Sequence, residues 1–369
     1  MEQSRGKMGI REYVATVILV VGVKLSDDTP AIFAYFLKNA LWMAPILIGL
    51  LSIIPIYFML KVITAYKNKN LHDVILHLFG RYIGLFLSCI LLLGGLIALI
   101  LDSAVYVDII GTMYFTETPI LLIYIVFMAV CAYSAKKGLE YIGSVSWLVL
   151  FYIKFSLLIA LILALQESRV AHTFPILGPG PWEVVKRSSA HVSIFAEFFF
   201  IGLIAPYIAS VKAFKKGTWI ALLIVVSELT IAFLVYLFVF DFEGLRYLDY
   251  PYQELIRLIR LGFITNIETF FFPFWIIASF IRFSMYLYLI SILFGGIFNI
   301  KKFEYLAPII ATITVIFGMA PEAPTFTLFK MREILQNMMS PIFVFVPCLM
   351  WILAKLRGDL KYEKTSQNK

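Results

Sequence analysis

Ten apolar stretches, each close to the length that crosses a lipid bilayer, follow one another along the chain. A spanning helix needs roughly 20 apolar residues, because about 30 Å of hydrocarbon is crossed at 1.5 Å per residue. The stretches lie near 13–37, 41–62, 82–109, 117–134, 141–165, 192–211, 218–240, 264–294, 303–320 and 338–356. A water-soluble alternative fails on composition. Only 15% of the 369 residues are charged and 62% are apolar, against about 25% charged in an ordinary soluble chain, so there is too little polar surface to clothe a soluble fold. Disorder is excluded as well, since it requires low hydrophobicity. The reading is an all-α, multi-pass integral membrane protein.

The formal net charge of +8 would raise the question of nucleic acid in a soluble protein. Here Lys and Arg gather in the connections on the side that holds both termini. They outnumber those of the opposite connections, where Lys330 and Arg332 fall, by roughly two to one. That bias places both termini in the cytoplasm and assigns no nucleic-acid partner. The first apolar stretch has no small-residue cleavage site behind it and reads as a span, not a leader. Cys89, Cys131 and Cys348 lie far apart in or beside apolar runs, which suits packing and neither metal nor disulfide chemistry. His72 and His77 are five apart, the wrong spacing for two ligands on one helical face, and H-E-x-x-H, G-x-S-x-G, P-loop and G-x-G-x-x-G motifs are missing. The expectation is no catalytic residue, no metal and no cofactor: not an enzyme.

Two of the ten stretches are interrupted, at corresponding places. The first is apolar to Val21, breaks at Gly22-Val-Lys-Leu-Ser-Asp-Asp-Thr-Pro30 and resumes at Ala31. The sixth, Ile194-Phe-Ala-Glu-Phe-Phe-Phe-Ile-Gly-Leu-Ile-Ala-Pro206, carries Glu197, Gly202 and Pro206 inside an apolar run. Each opens a set of five, and an odd number of spans turns the second set upside down. The expected architecture is therefore about ten transmembrane helices as a five-plus-five inverted repeat with broken helices one and six. Its parts are a first repeat over 1–166, an extracytoplasmic loop over 167–191, a second repeat over 192–357 and a cytoplasmic tail over 358–369. A broken helix frees backbone groups that lipid cannot satisfy, so the breaks must face a protein-lined cavity. Matching breaks in two inverted halves point to a transporter-type binding site at the midplane. Freed N–H groups there attract a carboxylate, and freed carbonyls an ammonium group or cation. Two outer loops exceed a turn. Residues 166–190 are rich in Pro and Gly, and Tyr252–Arg260 within 241–263 has the pattern of an amphipathic helix at the interface.

These residues carry a resemblance. In order along the chain stand the Val-Gly-Val opening of helix one, Phe79-Gly-Arg-Tyr-Ile-Gly84, Phe174-Pro-Ile-Leu-Gly178 and Asn266-Ile-Glu-Thr-Phe-Phe-Phe-Pro-Phe-Trp275. With the ten-span layout they resemble, over essentially the whole chain, the endospore germination permease family. These are the B subunits of GerA-type germinant receptors, within the amino acid–polyamine–organocation superfamily. Lys24 departs from the pattern, standing where a second glycine of helix one is expected. The resemblance implies a small germinant as ligand, A and lipoprotein C subunits as partners, and the inner membrane of a spore as location.

An ionisable side chain at the bilayer centre costs on the order of 2.5–3.5 kcal/mol on insertion scales, so each one is a functional candidate. For ligand binding these are Gly22, Val23, Lys24 and Asp27 in the first break, Tyr106 in helix three, and Glu197 and Gly202 in the sixth. For proton or ion coupling they are Lys154, Asp102 and Glu268. Lys154 matches a helix-five lysine that, in cation-independent members of the superfamily, stands in place of sodium. It serves either as a proton switch or as a structural partner of Asp102 or Glu197. Arg282, about 21 Å along helix eight from Glu268, is expected to snorkel, and Asp108 to be solvated at the membrane edge. Two functions follow: a germinant-receptor subunit that binds an amino acid-like nutrient and signals germination, or an autonomous proton-coupled amino acid transporter. A channel ranks third.

Overall fold

The computed structural model describes residues 7–66, 68–260, 267–320 and 324–361, without the side chains of 324–327 and 361. Arg5, Lys67, Asn266, the far end of the 241–263 loop and the tail beyond Lys361 lie outside these residues. The described chain is helical throughout, and a single isolated bridge pairs Met8 with Ile208.

The first apolar stretch becomes α1 (Ile10–Gly22), a 3₁₀ turn over Val23–Ser26, and α2 (Thr29–Leu37). Then come α3 (Ala44–Ala65), the short amphipathic α4 (Leu71–Phe79), α5 (Arg81–Met113), α6 (Ile120–Lys137) and α7 (Leu139–Ala164). The connection over 167–191 holds α8 (Pro181–Ala190). The sixth stretch is 3₁₀ over Val192–Phe195, a single turn α9 (Glu197–Phe200), and 3₁₀ again over Ile201–Tyr207. The rest is α10 (Val211–Leu245), α11 (Pro251–Leu258), α12 (Glu268–Ile297), α13 (Ala307–Gly318) and α14 (Pro324–Leu356). Among the described residues seven helices are long and apolar enough to cross a membrane, and Glu197–Tyr207 and Phe303–Gly318 are shorter apolar helices. The protein is an all-α, multi-pass membrane protein.

The boundaries have local causes. Asn70 and Asp73 form a reciprocal capping box that starts α4. Gly80 and Gly138, at φ 79° and 99°, take the left-handed region that lets α4 turn into α5 and α6 into α7 without a loop. Asp241 (φ 55°) interrupts α10, and its carboxylate accepts the Gly244 N–H at 2.7 Å, recapping the final turn. Lipid-facing positions such as Leu148, Phe151 and Phe155 on α7 are exposed, while 83% of the apolar window of α12 is enclosed by protein. That helix is the central post of the molecule.

Packing partners exchange between the two sets of helices. α1 packs on α7 as the segment 192–195 packs on α14. α1 meets α10 as 192–207 meets α3, α6 meets α12 as α13 meets α5, and α7 meets α12 as α14 meets α5.

Two sequence expectations are corrected here. The last span starts at Pro324, well before 338, so Lys330 and Arg332 belong to a helix and not to an outer connection. A hydropathy window rejects their charges, whereas the folded chain neutralises Arg332 with carboxylates from other elements. The amphipathic segment does form a helix, α11. It packs against α7, α10, α12 and the 23–26 turn, burying Tyr252, Gln253, Leu255 and Ile256, so it covers the break and does not rest on lipid.

Candidate functional site

Ser26-Asp27-Asp28-Thr29-Pro30 both ends and restarts the first helix. Asp27 is extended, its carboxylate accepts the Thr29 N–H at 2.9 Å, and Pro30 begins α2, where its missing N–H is harmless. The carbonyls freed by this break are taken up by the protein's own side chains. Tyr106 donates to Val23 O at 3.1 Å, Tyr236 to Leu25 O at 2.9 Å and Arg282 Nη1 to Val20 O at 2.7 Å. Trp275 Nε1 donates to Ser26 Oγ at 2.8 Å, and its ring stacks on Tyr106 with centroids 5.5 Å apart.

Lys24 reaches from the first break to the second. Its ammonium donates to Ile194 O, a carbonyl freed by the 192–195 turn, and pairs with Glu197 at 2.5 Å. The same Glu197 oxygen accepts the Tyr286 hydroxyl and lies 3.7 Å from Arg282, while Oε2 has no hydrogen-bond partner. Arg282 is fully buried and pairs with Asp102 at 2.6 Å; its guanidinium lies 4.9 Å from the centre of the Tyr286 ring. Arg332, from α14, meets three carboxylates: Asp27 and Asp102 at 3.0 Å each, and Asp28. The second break is tied to α14 by Ser193, whose hydroxyl donates to Gln336 O at 2.8 Å and whose N–H donates to Ser340 Oγ at 3.1 Å.

A cavity of about 100 Å³ opens where these groups meet. Its lining combines polar groups, among them Lys24, Asp102, Glu197, Tyr286 and Arg332, with apolar ones such as Phe200, Leu289 and Met339. That is room for several waters or one small organic molecule. Glu197 Oε2 is an unused acceptor in this lining, and Met339 and Phe200 close over Gly94 and Gly95.

The candidates from sequence divide accordingly. Lys24, Glu197 and Asp102 line the cavity. Asp27, Tyr106 and Val23 stand behind them, joined through Arg332 and the carbonyl of Val23. Gly22 lies on another face of α1, where an added Cβ would sit 3.1 Å from Glu228 Oε2 and 3.4 Å from Lys154 Nζ. Gly202 packs under Leu71, Met59 and Ile63, outside the cavity. Lys154 pairs with Glu228 of α10, not with Asp102 or Glu197. Arg282 does not snorkel, because fixed carboxylates reach it within the protein. Asp108 is not solvated: it is buried and accepts the Tyr250 hydroxyl. Beside it, outside the spans, burial and then the Asp108 charge push the Asp249 carboxyl above its ordinary value. Glu268, in the first turn of α12, makes no ion pair with the network among the described residues. Sequence reasoning missed Arg332, Glu228 and Tyr286. Glu228 could have been found as an uncompensated acid inside the 218–240 run.

Among the described residues no group of three or more His, Cys, Asp or Glu side chains is arranged to hold a metal ion, and all three cysteines are free thiols.

Broken helices that meet over an ion-lined cavity inside a multi-pass bundle define a permease-like membrane protein. The family model described as "Spore germination protein" matches residues 15–327, and the chain belongs to that family. No curated protein matches the sequence.

Proposed function

We propose that the chain is the membrane subunit of a germinant receptor, and that a small amino acid-like nutrient binds in the cavity between the two breaks. Residues 1–166 and 192–357 act as inverted repeats joined by the 167–191 loop, with both termini cytoplasmic. The observation that carries the reading is the bridge from Lys24 to Ile194 O and Glu197, which ties both broken segments together at the wall of the cavity. A nutrient whose ammonium competes for Glu197 changes how the two repeats are held. It then shifts a conformational equilibrium by its difference in affinity for the two states, and A and C subunits read that shift in the spore inner membrane.

The Lys154–Glu228 pair beside Gly22 favours a second reading, a proton-coupled transporter in which this pair carries the proton. Reconstitution of the full chain in lipid separates the two. The receptor reading predicts saturable binding of a small amino acid, lost in Glu197→Gln, with no concentrative uptake under a pH gradient. Uptake abolished by Lys154→Ala would move the assignment to a transporter. A panel of amino acids that shows no binding at all would sink both.

A further inference from the structure

The buried network around the first break holds an odd number of charges. Its cations are Lys24, Arg282 and Arg332, and its anions are Asp27, Asp28, Asp102 and Glu197. All are at least nine-tenths buried. An uncompensated charge in such surroundings costs several kcal/mol, so the surplus is removed by a bound cation or by protonation of one acid.

The geometry identifies which acid is left over. Glu197 has Lys24, Tyr286 and Arg282 on its Oε1. Asp102 has Arg282 at 2.6 Å and Arg332 Nε at 3.0 Å. Asp27 has the Thr29 N–H at 2.9 Å and Arg332 Nη2 at 3.0 Å. Among the described residues the Asp28 carboxylate approaches only Arg332 Nη1, on a guanidinium shared with two other acids, and neither of its oxygens has a hydrogen-bond partner while the residue is wholly buried. Two adjacent carboxyls competing for one cation hold a proton more firmly than either would alone. Beside Gly22, Lys154 of α7 and Glu228 of α10 pair with each other and leave the balance unchanged, and Tyr236 of α10 and Tyr252 of α11 supply no further cation. A metal ion needs several oxygen ligands around it, and the described residues offer no such arrangement; a proton needs none.

We infer that Asp28 is a proton-binding site, neutral in this state, linked to the cavity through Arg332. Loss of the proton adds a negative charge beside Arg332 and draws its guanidinium from Asp102, on the cavity wall, toward the break. The link to a nutrient rests on the function proposed above; the proton site does not.

Infrared difference spectra of the full chain in nanodiscs, wild type against Asp28→Asn, test the site at neutral pH without any ligand. Replacing a protonated acid removes a carboxylic C=O band; replacing an ionised one removes a carboxylate band. Loss of the C=O band is expected, but a network that stays neutral loses it whichever acid holds the proton, so Asp28→Glu decides the site. There the C=O band must move to the glutamic acid position; a band left at the aspartic acid position, or none at all, overturns the assignment. Removing a cation with Arg332→Gln is expected to add a second protonated carboxyl, and an unchanged spectrum there counts against the charge balance. With amino acids present, wild-type affinity is expected to rise with pH, as Arg332 leaves Asp102 and the wall facing the ligand's ammonium gains negative charge, and Asp28→Asn to bind independently of pH; equal pH dependence in both overturns the link to the cavity. A C=O band moved in Asp28→Glu, with no amino acid bound by the wild type, upholds the proton site and removes the nutrient reading.

Discussion

Lys24 is the residue that most alters the meaning of the first break. An open glycine-lined turn would offer bare backbone to a ligand. Here a tethered ammonium already occupies the freed carbonyl of Ile194 and one oxygen of Glu197. Removing one partner of a buried ion pair costs about 3–5 kcal/mol, because the other is left charged and unpaired. Lys24→Met is therefore expected to lower unfolding stability by about that amount, and Lys24→Met with Glu197→Gln to recover most of it. Denaturation of the single and double variants in the same lipid measures the difference; two additive losses would show that the pair is not coupled. The same logic explains why Arg282 can be fully buried. Val20 O, Asp102 and the faces of Tyr106 and Tyr286 give a rigid, weakly hydrated guanidinium what water would otherwise supply.

Among the elements, α4 shows how a short amphipathic helix is held to the bundle. It packs along α5 and also meets α12 and α14. His72 is buried there with Nδ1 2.8 Å from Ser88 Oγ, against Gly296. Burial holds its imidazole below the ordinary value of 6.5. A histidine depressed in this way favours the docked helix fully above 6.5, and that contribution fades as pH falls below it, since the detached helix takes up the proton more readily. Hydrogen-exchange protection of the α4 amides, corrected for intrinsic rates, is expected to drop on acidification through that range, and His72→Gln to remove the dependence. An equal drop in the variant would assign the effect elsewhere. The hydropathy pattern made α4 legible only as a polar connection, because its nine residues are too few for a span and its apolar face is one-sided.

For the whole molecule, the two sets of helices are joined by charge and by main chain. Met8 N–H donates to Tyr207 O and Ala209 N–H to Met8 O, both at 2.9 Å, so the chain two residues before α1 is clamped to the end of the second break. Ala209→Pro removes one donor. It is expected to expose the amides around 8 and 208 to exchange while α5 and α12 stay protected; loss of protection throughout would mean that the clamp holds up the entire fold.

Apolar run lengths, turn residues and the position of charges were enough to establish a helical membrane protein, the two breaks, and Lys24, Asp102 and Glu197 as groups that belong near a cavity. Those signals act within one element, where spacing along the chain translates directly into a face or an end. The partners were not legible. Arg332 and Asp27 are 305 residues apart, Lys24 and Ile194 are 170 apart, and Lys154 and Glu228 are 74 apart. No periodicity connects such pairs, because whether a buried charge is neutralised depends on which helices close around it. Closure moved Arg332 from an outer connection into the centre of the network, turned Lys154 away from Asp102 toward Glu228, and left Gly202 in ordinary packing. The residues that cannot remain in lipid uncompensated are fixed by sequence; the tertiary structure alone decides what compensates them, since Arg332 serves Asp27, Asp28 and Asp102 at once and Asp28 receives no hydrogen bond besides.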